Sequence, residues 1–589
     1  MSTPQSSSST SLIATKPTLI VVSEYIVVFK SGTSQDEIDK HADAIGKNGG
    51  EVHERHSLLK GFSASIPESQ LQELQSLQGG VIDYIEPDGQ VKTQWLAWTC
   101  DAIDFFSVSL SVTNLANTFG KKNSEITEAI TLTLLLRSAG AVIFGIISDR
   151  YGRKWPLVCN LILVGVLELG AGFVQTFEQF LAVRSLFGIG MGGIWGLAAS
   201  TALENLPVEA RGIASGVLQQ GYAVGYLLAA CINLRLVPAT AASLNGHGWR
   251  SLFWCASGIS FFAAIVRALV PESEVFLKAR AEVKAREQAT GVVTKNKTKV
   301  FFKETWRMLK NHWKLCIYAV LLMTGFNFLS HGSQVCVHSL DVSEQHQLTR
   351  SFGQDLFPTY MQDSKGFDAT HATIATIIGN CGAIAGGTIA GWGSQYIGRR
   401  LTIIICLLLV GAFIPLWILP NSFSGLAAGA FCIQFGVQGA WGVIPIQLAE
   451  MSPPAFRATF PGVAYQLGNM VSSASAQIEA VGGEHQKTTI VDPKTGQRKI
   501  VPDYAKVQGI LIGVVAAYLL VVTILGPENH GSHFEKHKAA FEEGAGNDEV
   551  MDQEAVERGH RAERRDLEGS DSMDRGSPTD EKGHHETKE

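Results

Sequence analysis

The segment that decides the fold runs Gly145-Ile-Ile-Ser-Asp-Arg-Tyr-Gly-Arg-Lys154. A related segment, Gly391-Trp-Gly-Ser-Gln-Tyr-Ile-Gly-Arg-Arg400, follows 246 residues later. Each joins two apolar runs of about 20 residues, the length that crosses a hydrocarbon core as a helix. The glycines favour a tight turn, and the basic residues favour the cytoplasmic side of a membrane. The pattern therefore indicates a polytopic membrane protein with an internal repeat.

The same offset of 246 residues relates further features along the chain. They are Trp195-Gly196 and Trp441-Gly442, Glu204-x-x-Pro207-x-x-x-Arg211 and Glu450-x-x-Pro453-x-x-x-Arg457, and Gln220 and Gln466. A shared offset over separate features predicts two pseudo-symmetric halves of six spans each, with a binding cavity between them at the membrane midplane. The predicted fold class is an all-α polytopic bundle.

Twelve apolar runs supply the spans. We place them at 95–118, 126–147, 156–174, 180–202, 212–234, 250–270, 313–334, 370–391, 401–420, 424–447, 458–480 and 505–526. They form an N-terminal half (95–271) and a C-terminal half (313–528), separated by a Lys/Arg-rich linker at 272–312. Basic loops mark the cytoplasm, so both termini are expected there, although Lys121, Lys122 and the loop at 481–504 run against this rule. Residues 1–23 and the charged tail at 529–589 are predicted to be disordered.

The composition fits this class and excludes others. Of the 589 residues 46% are hydrophobic, an average that the polar ends dilute. The net charge of −6 and the lack of a basic stripe argue against a nucleic-acid partner. The nine cysteines show no metal-ligand spacing and are interpreted as packing residues. No nucleophile–base pair, phosphate loop or metal cluster stands out, so we predict neither an enzyme nor a bound cofactor.

The two loops resemble the signature loop of the major facilitator superfamily, and Arg184-x-x-x-Gly188-x-Gly190-x-Gly192 matches its fourth-span pattern. The resemblance implies this superfamily's 6+6 fold and transport by alternating access. Asp149 can cap a neighbouring helix end and pair with a basic residue, which would hold a cytoplasmic gate in one state. Gln395 replaces it in the second loop, so a weaker latch is expected there.

The predicted gate draws residues from both repeats. They are Gly145, Asp149, Arg150, Gly152, Arg153, Lys154, Glu204, Arg211, Gly398, Arg399, Arg400, Glu450 and Arg457. The simpler alternative is that the basic residues only anchor the topology.

Ionisable residues within spans are costly and point to function. Asp101 and Asp104 lie three apart in span 1, and Arg137 lies near the middle of span 2 at a similar depth. An internal salt bridge is one interpretation. The other assigns the substrate carboxylate to Arg137, because a guanidinium binds a carboxylate bidentately, and the proton to Asp101 or Asp104. Glu168 and Arg184 are predicted to pair structurally across helices.

The seventh span carries Asn327-Phe-Leu-Ser330-His331-Gly-Ser333-Gln334, and Asp355-Leu-Phe-Pro-Thr359 follows. Joined directly, they read N-x-x-S-H-x-S-Q-D-x-x-x-T, which resembles the signature of fungal lactate/pyruvate (monocarboxylate):proton symporters. The segments Trp98–Phe106 and Gln219–Tyr222 add to the resemblance. It implies proton-coupled import of short monocarboxylates, such as lactate, pyruvate and acetate, across the plasma membrane.

Helical spacing places Asn327, His331 and Gln334 on one stripe, beside Ser330. Amide and hydroxyl groups suit the oxygens of a hydroxy- or keto-acid, and an imidazole suits a proton. Hydrogen bonding between helices is the alternative for the Asn and Ser residues. The predicted substrate-binding residues are Arg137, Asn327, Ser330, His331, Ser333, Gln334, Asp355, Thr359 and Gln466. The predicted proton-coupling residues are Asp101, Asp104, His331 and Asp355.

Twenty residues, Val335–Gln354, interrupt this motif. Their length corresponds to 60 nucleotides, every Val codon begins with GT, and one Gln codon is CAG. We therefore interpret the insert as a retained intron that the working protein lacks. If the insert is real, Asp355 leaves the stripe and transport should be impaired.

Residues 24–94 form a separate soluble segment. Strands are predicted at Tyr25–Phe29, Ser57–Ile66 and Val81–Ile85, with helices at Ser34–Asn48 and Glu68–Leu77. The segment resembles subtilisin propeptide-like (proteinase B) inhibitors, which implies a ferredoxin-like βαββαβ fold and a serine protease partner. It is interpreted as two neighbouring genes joined, or as a true fusion that regulates or anchors the transporter.

Three functions thus remain open. The first is the monocarboxylate symporter, whose partners are a small carboxylate and the lipid bilayer, with protons as the coupling ion. The second is another organic-acid or sugar porter, or a sensor that binds its ligand without moving it. The third is a membrane-tethered protease inhibitor with an inert transporter part.

Overall fold

The structure of the chain is a computed structural model. It describes residues 23–529 except 31, 57–59, 68–69, 72, 75–76, 78–79, 88, 122, 205, 207, 291–296, 334–360, 362–364, 366, 368, 476–477, 479–484, 492–497 and 503. The chain divides into two compact units, Met1–Gly89 and Gln90–Glu589. The tail predicted at 529–589 lies outside the described residues beyond position 529, as do residues 1–22.

The small unit contains a four-stranded antiparallel sheet. Its elements are β1 (Ser23–Phe29), α1 (Gln35–Lys47), β2 (Glu51–His56), β3 (Gly61–Ile66) and β4 (Ile82–Pro87). The strand order is β2-β3-β1-β4, and α1 contributes Ile38, Ala42 and Ile45 to the core. Their spacing of four and three residues places these side chains on one helix face. This strand order is that of a ferredoxin-like sheet, and the second predicted helix, at 68–77, includes residues outside those that the structure describes.

One strand of this unit, β2, was missed by the sequence patterns. The single strand expected at 57–66 is the second arm of a hairpin, in which β2 at Glu51–His56 pairs with β3 at Gly61–Ile66. β2 has the sequence Glu-Val-His-Glu-Arg-His, which lacks the apolar alternation by which strands are recognised. It lies at the edge of the sheet, where charged residues are tolerated because one side of the strand faces water.

The large unit is helical. Its elements are α2 (Gly89–Phe119), α3 (Asn123–Tyr151), α4 (Lys154–Ala171), α5 (Phe177–Gly192), α6 (Ile194–Glu204), α7 (Val208–Ala241), α8 (Trp249–Leu269), α9 (Glu274–Thr290), α10 (Lys297–Asn311), α11 (Trp313–Ser333), α12 (Ala369–Ile397), α13 (Arg399–Ile418), α14 (Phe423–Met451), α15 (Thr459–Ser472), β5 (Lys487–Val491), β6 (Arg498–Pro502) and α16 (Tyr504–Leu525). Among the described residues, ten stretches are long and apolar enough to span a membrane, one of them being α5 and α6 together.

Helices also occupy the positions of the remaining two predicted spans. α2 carries Asp101 and Asp104 within its apolar stretch, which lowers its hydropathy, and α15 comprises 14 regular helical residues. The helix pairings repeat between the halves: α3 packs on α5 as α12 packs on α14, and α4 packs on α8 as α13 packs on α16. The all-α repeat architecture is therefore confirmed.

Two connections have structure that the sequence patterns did not predict. The linker contains α9 and α10 rather than an irregular segment. The loop between spans 11 and 12 contains the antiparallel pair β5–β6.

Glycines allow α5 to approach α3 closely. A methyl group added at Gly188 would meet the Thr133 carbonyl oxygen at 2.5 Å, and one at Gly192 would meet the Arg137 carbonyl oxygen at 1.9 Å. Any side chain at these two positions would therefore push the helices apart. The close contact between Gly192 and the Arg137 backbone fixes the position of Arg137 along α3 relative to α5.

Candidate functional site

A buried ion pair joins the first two spans. Arg137 Nη2 lies 3.2 Å from Asp101 Oδ2, and the side chains are 2% and 0% exposed. The guanidinium also lies 5.9 Å from the ring centroid of Tyr465, which belongs to α15 of the C-terminal half. On the next residue of α3, the Ser138 hydroxyl donates to the Gln466 carbonyl at 2.9 Å. Arg137 therefore lies at the joint between the two halves.

Asp104 has a different environment from Asp101. The Ser260 hydroxyl of α8 donates to Asp104 Oδ2 at 2.8 Å. Nearby, Arg184 Nη1 lies 2.6 Å from Glu168 Oε2, and both residues are buried. The predicted structural pair of Glu168 and Arg184 is thus confirmed. The contacts described for these four side chains all lie within the N-terminal half.

An aromatic cluster surrounds Tyr465 at the centre of the bundle. Its ring centroid lies 4.6 Å from that of Trp195, 5.8 Å from that of Trp441 and 6.3 Å from that of Trp98. Trp195 and Trp441 are repeat-related, so Tyr465 contacts equivalent positions of the two halves. Trp98 in turn stacks on Tyr222 at 5.5 Å.

A chain of polar contacts leads from α11 through α15 to the N-terminal half. His331 Nε2 lies 3.2 Å from Asn469 Oδ1, the Asn469 amide donates to Gln466 Oε1 at 3.0 Å, and the Gln466 amide donates to the Gly192 carbonyl at 3.5 Å. One turn before His331, the Asn327 amide donates to the Tyr465 carbonyl at 3.3 Å. Asn327 and His331 of the predicted stripe therefore face α15.

Other predicted substrate residues have different positions. Ser330 and Ser333 are buried, and Ser333 bonds through its hydroxyl to the Ser330 carbonyl at 3.4 Å. The Gln434 amide donates to the Ser333 carbonyl. The remaining three predicted positions, Gln334, Asp355 and Thr359, lie outside the described residues.

Several buried polar atoms around this joint have no hydrogen-bond partner among the described residues. They include Asp101 Oδ1, Arg137 Nε and His331 Nδ1. A buried polar atom costs free energy unless it is paired, typically about 1–3 kcal/mol. These atoms can therefore take part in binding an acid. The Arg137 guanidinium can donate hydrogen bonds to a substrate carboxylate, and the His331 imidazole and the Asp101 carboxylate can each accept a proton.

A second set of contacts joins the halves at the end of the bundle where the basic loops lie. Asp149 Oδ2 accepts from the Thr459 backbone N–H at 3.1 Å and from the Thr459 hydroxyl at 2.5 Å. Asp149 therefore caps the N-terminus of α15, where a negative charge is stabilised by the helix dipole. Its other oxygen lies 2.9 Å from Arg153 Nη1. At Gly145, an added methyl would lie 3.0 Å from the Thr459 Cα, so this glycine permits the contact.

The two loops hold their arginines in the same way. Arg153 Nη2 and Nε donate to Glu204 at 2.8 and 3.3 Å, and Arg399 Nη2 and Nε both donate to Glu450 at 3.1 Å. Both pairs are bidentate and buried. Gln395, the counterpart of Asp149, accepts from Arg399 Nη2 at 2.9 Å.

Two glutamates cap the helices that follow the loops, and the motif reasoning missed them. Glu272 accepts from the backbone N–H groups of Arg153 and Lys154 at 2.9 and 3.1 Å. Glu528 accepts from those of Arg399 and Arg400 at 3.1 and 3.0 Å. Each follows a proline, so the Pro-Glu dipeptide at the end of each half was the available signal.

The loop glycines have backbone angles that favour glycine. Gly152 has φ +115° and Gly398 has φ +90°, both in the left-handed region. A methyl at Gly152 would also lie 2.3 Å from Glu272 Oε2. Another residue at position 152 would therefore strain the backbone and displace the cap.

The remaining predicted gate residues are less central. Arg150 lies over its neighbour Tyr151, and the Lys154 side chain lies over Trp155. Arg211 donates to the Leu206 carbonyl at 2.9 Å, and Arg457 is buried beside the start of α15. The Arg400 guanidinium donates to the Thr523 carbonyl at 3.0 Å.

Comparison with known proteins agrees with this architecture. The family model described as Major Facilitator Superfamily matches residues 95–476. A carboxylic acid transporter protein homolog of Saccharomyces cerevisiae is 34% identical over 444 residues, which cover 74% of this chain and 67% of that protein. A probable 4-methylmuconolactone transporter of Cupriavidus pinatubonensis is 27% identical, covering 66% of this chain and 82% of that protein. A cis,cis-muconate transport protein of Acinetobacter baylyi is 25% identical, with coverages of 66% and 86%.

A solved structure of the proton:xylose symporter XylE bound to 6-bromo-6-deoxy-D-glucose superimposes with a TM-score of 0.55. It shares 16% identity and covers 76% of this chain and 97% of its own. This likeness concerns the fold alone.

Proposed function

The chain belongs to the major facilitator superfamily, and we propose that it is a proton-coupled symporter of short monocarboxylates such as lactate, pyruvate and acetate. It is a multi-pass membrane transporter and not an enzyme. The observation that carries the proposal is the buried Arg137–Asp101 pair at the joint between the halves. The similarity to a yeast carboxylic acid transporter homolog supports a carboxylate as the substrate class.

Charge balance suggests how the pair couples substrate to proton. With both side chains ionised, the Arg137–Asp101 pair is neutral. When a proton neutralises Asp101, the guanidinium is left with an uncompensated charge in a buried position, which is costly. A carboxylate entering from outside restores neutrality and can bind the guanidinium bidentately. One proton and one monocarboxylate thus replace one ion pair, and the site stays neutral.

The polar chain from His331 to Gln466 would bind the rest of the substrate. Asn469 lies between these two residues, and its amide can switch from Gln466 to a substrate oxygen. Hydroxy- and keto-acids offer such an oxygen next to the carboxylate, whereas acetate does not. We therefore expect lactate and pyruvate to bind more tightly than acetate.

The gate supports alternating access. Asp149 bonds the N-terminal half to α15, so its release from Thr459 would let the halves separate at that end. The distribution of basic loops supports a cytoplasmic location for this end and for both termini. The plasma membrane is proposed from the resemblance to monocarboxylate symporters.

The test is uptake of labelled lactate at mildly acidic pH by yeast that lacks its own carboxylate importers. The full chain and a chain without Val335–Gln354 are compared, since those residues are interpreted as a retained intron. We expect uptake by the shortened chain only, and its loss with a proton ionophore. If neither correctly inserted form takes up lactate, the substrate assignment is wrong.

Two substitutions separate the roles within the pair. Arg137→Lys keeps the charge but loses the guanidinium fork, so we expect KM for lactate to rise at least tenfold. Asp101→Asn mimics the protonated carboxyl, so we expect lactate binding to persist while proton-driven accumulation is lost. The matched control is Glu168→Gln, a buried carboxylate paired with an arginine inside one half. Loss of accumulation with Glu168→Gln but not with Asp101→Asn would contradict the assignment.

A second candidate is a porter of larger unsaturated acids. Relatives named as muconate and 4-methylmuconolactone transporters favour it, as does the aromatic cluster around Tyr465. Competition of cis,cis-muconate with labelled lactate in the same cells distinguishes the two. The serine protease partner of the small unit stays a prediction from resemblance alone.

A further inference from the structure

The linker helix α10 has a row of exposed apolar side chains. Phe302, Trp306 and Leu309 are 57%, 71% and 42% exposed, and Trp313 at the start of α11 is 53% exposed. The spacing of four and three residues places Phe302, Trp306 and Leu309 on one face of α10, and Trp313 follows four residues later in the next helix. An exposed row of large aromatic residues is costly in water and marks a contact surface.

The opposite face of α10 is buried against the gate. Phe301 and Met308 form a cluster with Phe456, and Ile146 packs against it. Ile146 follows Gly145 in α3, and Phe456 lies three residues before Thr459, which Asp149 caps. α10 therefore packs across the joint between the two halves.

Basic residues flank the exposed row on one side. Lys299, Lys303 and Lys310 are exposed, and their spacing of four and seven residues gives them a stripe of their own on α10. Lys314, also exposed, follows in α11. α10 thus has three sectors: one buried against the gate, one apolar and exposed, and one basic. Aromatic residues beside lysines are typical of helices that lie in the membrane–water interface.

The apolar row is continuous with the lipid-facing surface of a span. After Trp313 it runs on through Ile317 and Leu321 of α11, which are 51% and 46% exposed. α11 is one of the stretches long and apolar enough to span a membrane, so this surface faces lipid. The row on α10 extends the same surface beyond the end of the span.

We propose that α10 lies in the membrane interface and binds anionic phospholipid headgroups of the leaflet on the gate side, with its aromatic row in the lipid and its lysine stripe on the headgroups. Because its third face packs on both halves at the gate, bound anionic lipid stabilises the closed arrangement that Asp149 holds. The proposed lipid binding by α10 does not depend on which substrate the protein carries.

The first test is thermal unfolding of the purified full chain in detergent with added phosphatidylserine or phosphatidylcholine. We expect phosphatidylserine to raise the unfolding temperature more than phosphatidylcholine does. The double variant Lys303→Gln, Lys310→Gln should weaken the apparent affinity for phosphatidylserine about fivefold per charge removed. Trp306→Ser should reduce the shift with either lipid, and Trp306→Phe should restore it. Leu277→Ser, an exposed apolar residue of α9, is the matched control and should behave as wild type.

The second test locates the helix directly. A nitroxide label at position 306, in a chain whose native cysteines are replaced by serine, is reconstituted in phosphatidylcholine vesicles with phosphatidylserine. Collisions with dissolved oxygen should exceed collisions with a water-soluble nickel chelate, and a label at position 310 should show the reverse. Equal chelate access at both positions would overturn the proposal. So would equal stabilisation of wild type and the lysine variant by phosphatidylserine, since the lysines would then not bind the anionic headgroups.

Discussion

The two repeat loops differ in how they reach the opposite half of the molecule. In the first loop, Asp149 crosses to the start of α15 and accepts three hydrogen bonds there. In the second, Gln395 accepts from Arg399 of its own loop. Gln395 still lies beside the other half, because a methyl added at Gly212 of α7 would be 3.1 Å from its Oε1. The position is therefore equivalent, but of these two side chains only Asp149 brings a negative charge to the opposite half.

Within each loop, by contrast, the bonds are the same. A bidentate arginine–glutamate pair and a glutamate cap recur in both, which holds each pair of helices at a fixed angle. The two repeats thus share the arginine–glutamate pair and the glutamate cap, which keep each half rigid. They differ at Asp149 and Gln395, the position that contacts the other half. A gate with one strong and one weak latch can open by releasing a single carboxylate.

The largest expected loss of unfolding free energy distinguishes the two arginine–glutamate pairs, Arg399–Glu450 and Arg153–Glu204. Glu450→Gln leaves buried Arg399 with neutral side-chain partners, Ser394 and Gln395. Removing one partner of a buried pair costs about 3–5 kcal/mol, and we expect the loss of unfolding free energy to reach the lower end of that range.

Glu204→Gln is the matched change in the first loop. Arg153 keeps Asp149, at 2.9 Å, so the loss should be about 1 kcal/mol. The measurement is the unfolding temperature of each purified variant, Glu450→Gln and Glu204→Gln, compared with wild type. Equal losses, or a larger loss for Glu204→Gln, would show that Asp149 does not compensate Arg153.

These pairs also show how far sequence reasoning reaches. The spans and the Glu168–Arg184 pair were predictable, because long apolar runs and charges within them are local signals. The capping of α15 by Asp149 could be anticipated only as capping of some neighbouring helix, since its partner lies 310 residues away. Tyr465 was missed because a tyrosine in an apolar span carries no signal of its central position.

The second effect concerns the bond that crosses the halves. Asp149→Asn removes the charge at the α15 N-terminus and from Arg153, and we expect a loss of about 2 kcal/mol of unfolding free energy. Transport should fall strongly, because the closed gate is less populated. Gln395→Ala, the matched change, should cost less than about 1 kcal/mol, because Arg399 keeps Glu450. Similar transport by both variants would contradict the single-latch interpretation.

The third change makes the loops more alike. Gln395→Asp adds a carboxylate beside Arg399 and near the start of α7, where the helix dipole stabilises negative charge. We expect the closed gate to gain about 1 kcal/mol and the rate of lactate uptake to fall about fivefold, because opening must now break two charged latches. Faster uptake than wild type would show that the second loop does not take part in closing.

The smallest effect compares the two glutamate caps. Glu272→Gln and Glu528→Gln each keep an acceptor oxygen but remove the charge from a helix N-terminus, a change of about 0.5 kcal/mol at such sites. Because both caps act inside one half, we expect equal small shifts of the unfolding temperature and unchanged uptake. Addition of salt should lessen the difference from wild type more for Glu528, which is exposed, than for the half-buried Glu272, since exposed charges are screened. If Glu272→Gln alone impairs uptake, the first loop differs from the second in its glutamate cap as well as in Asp149. The asymmetry of the gate would then include a contact that lies within one half.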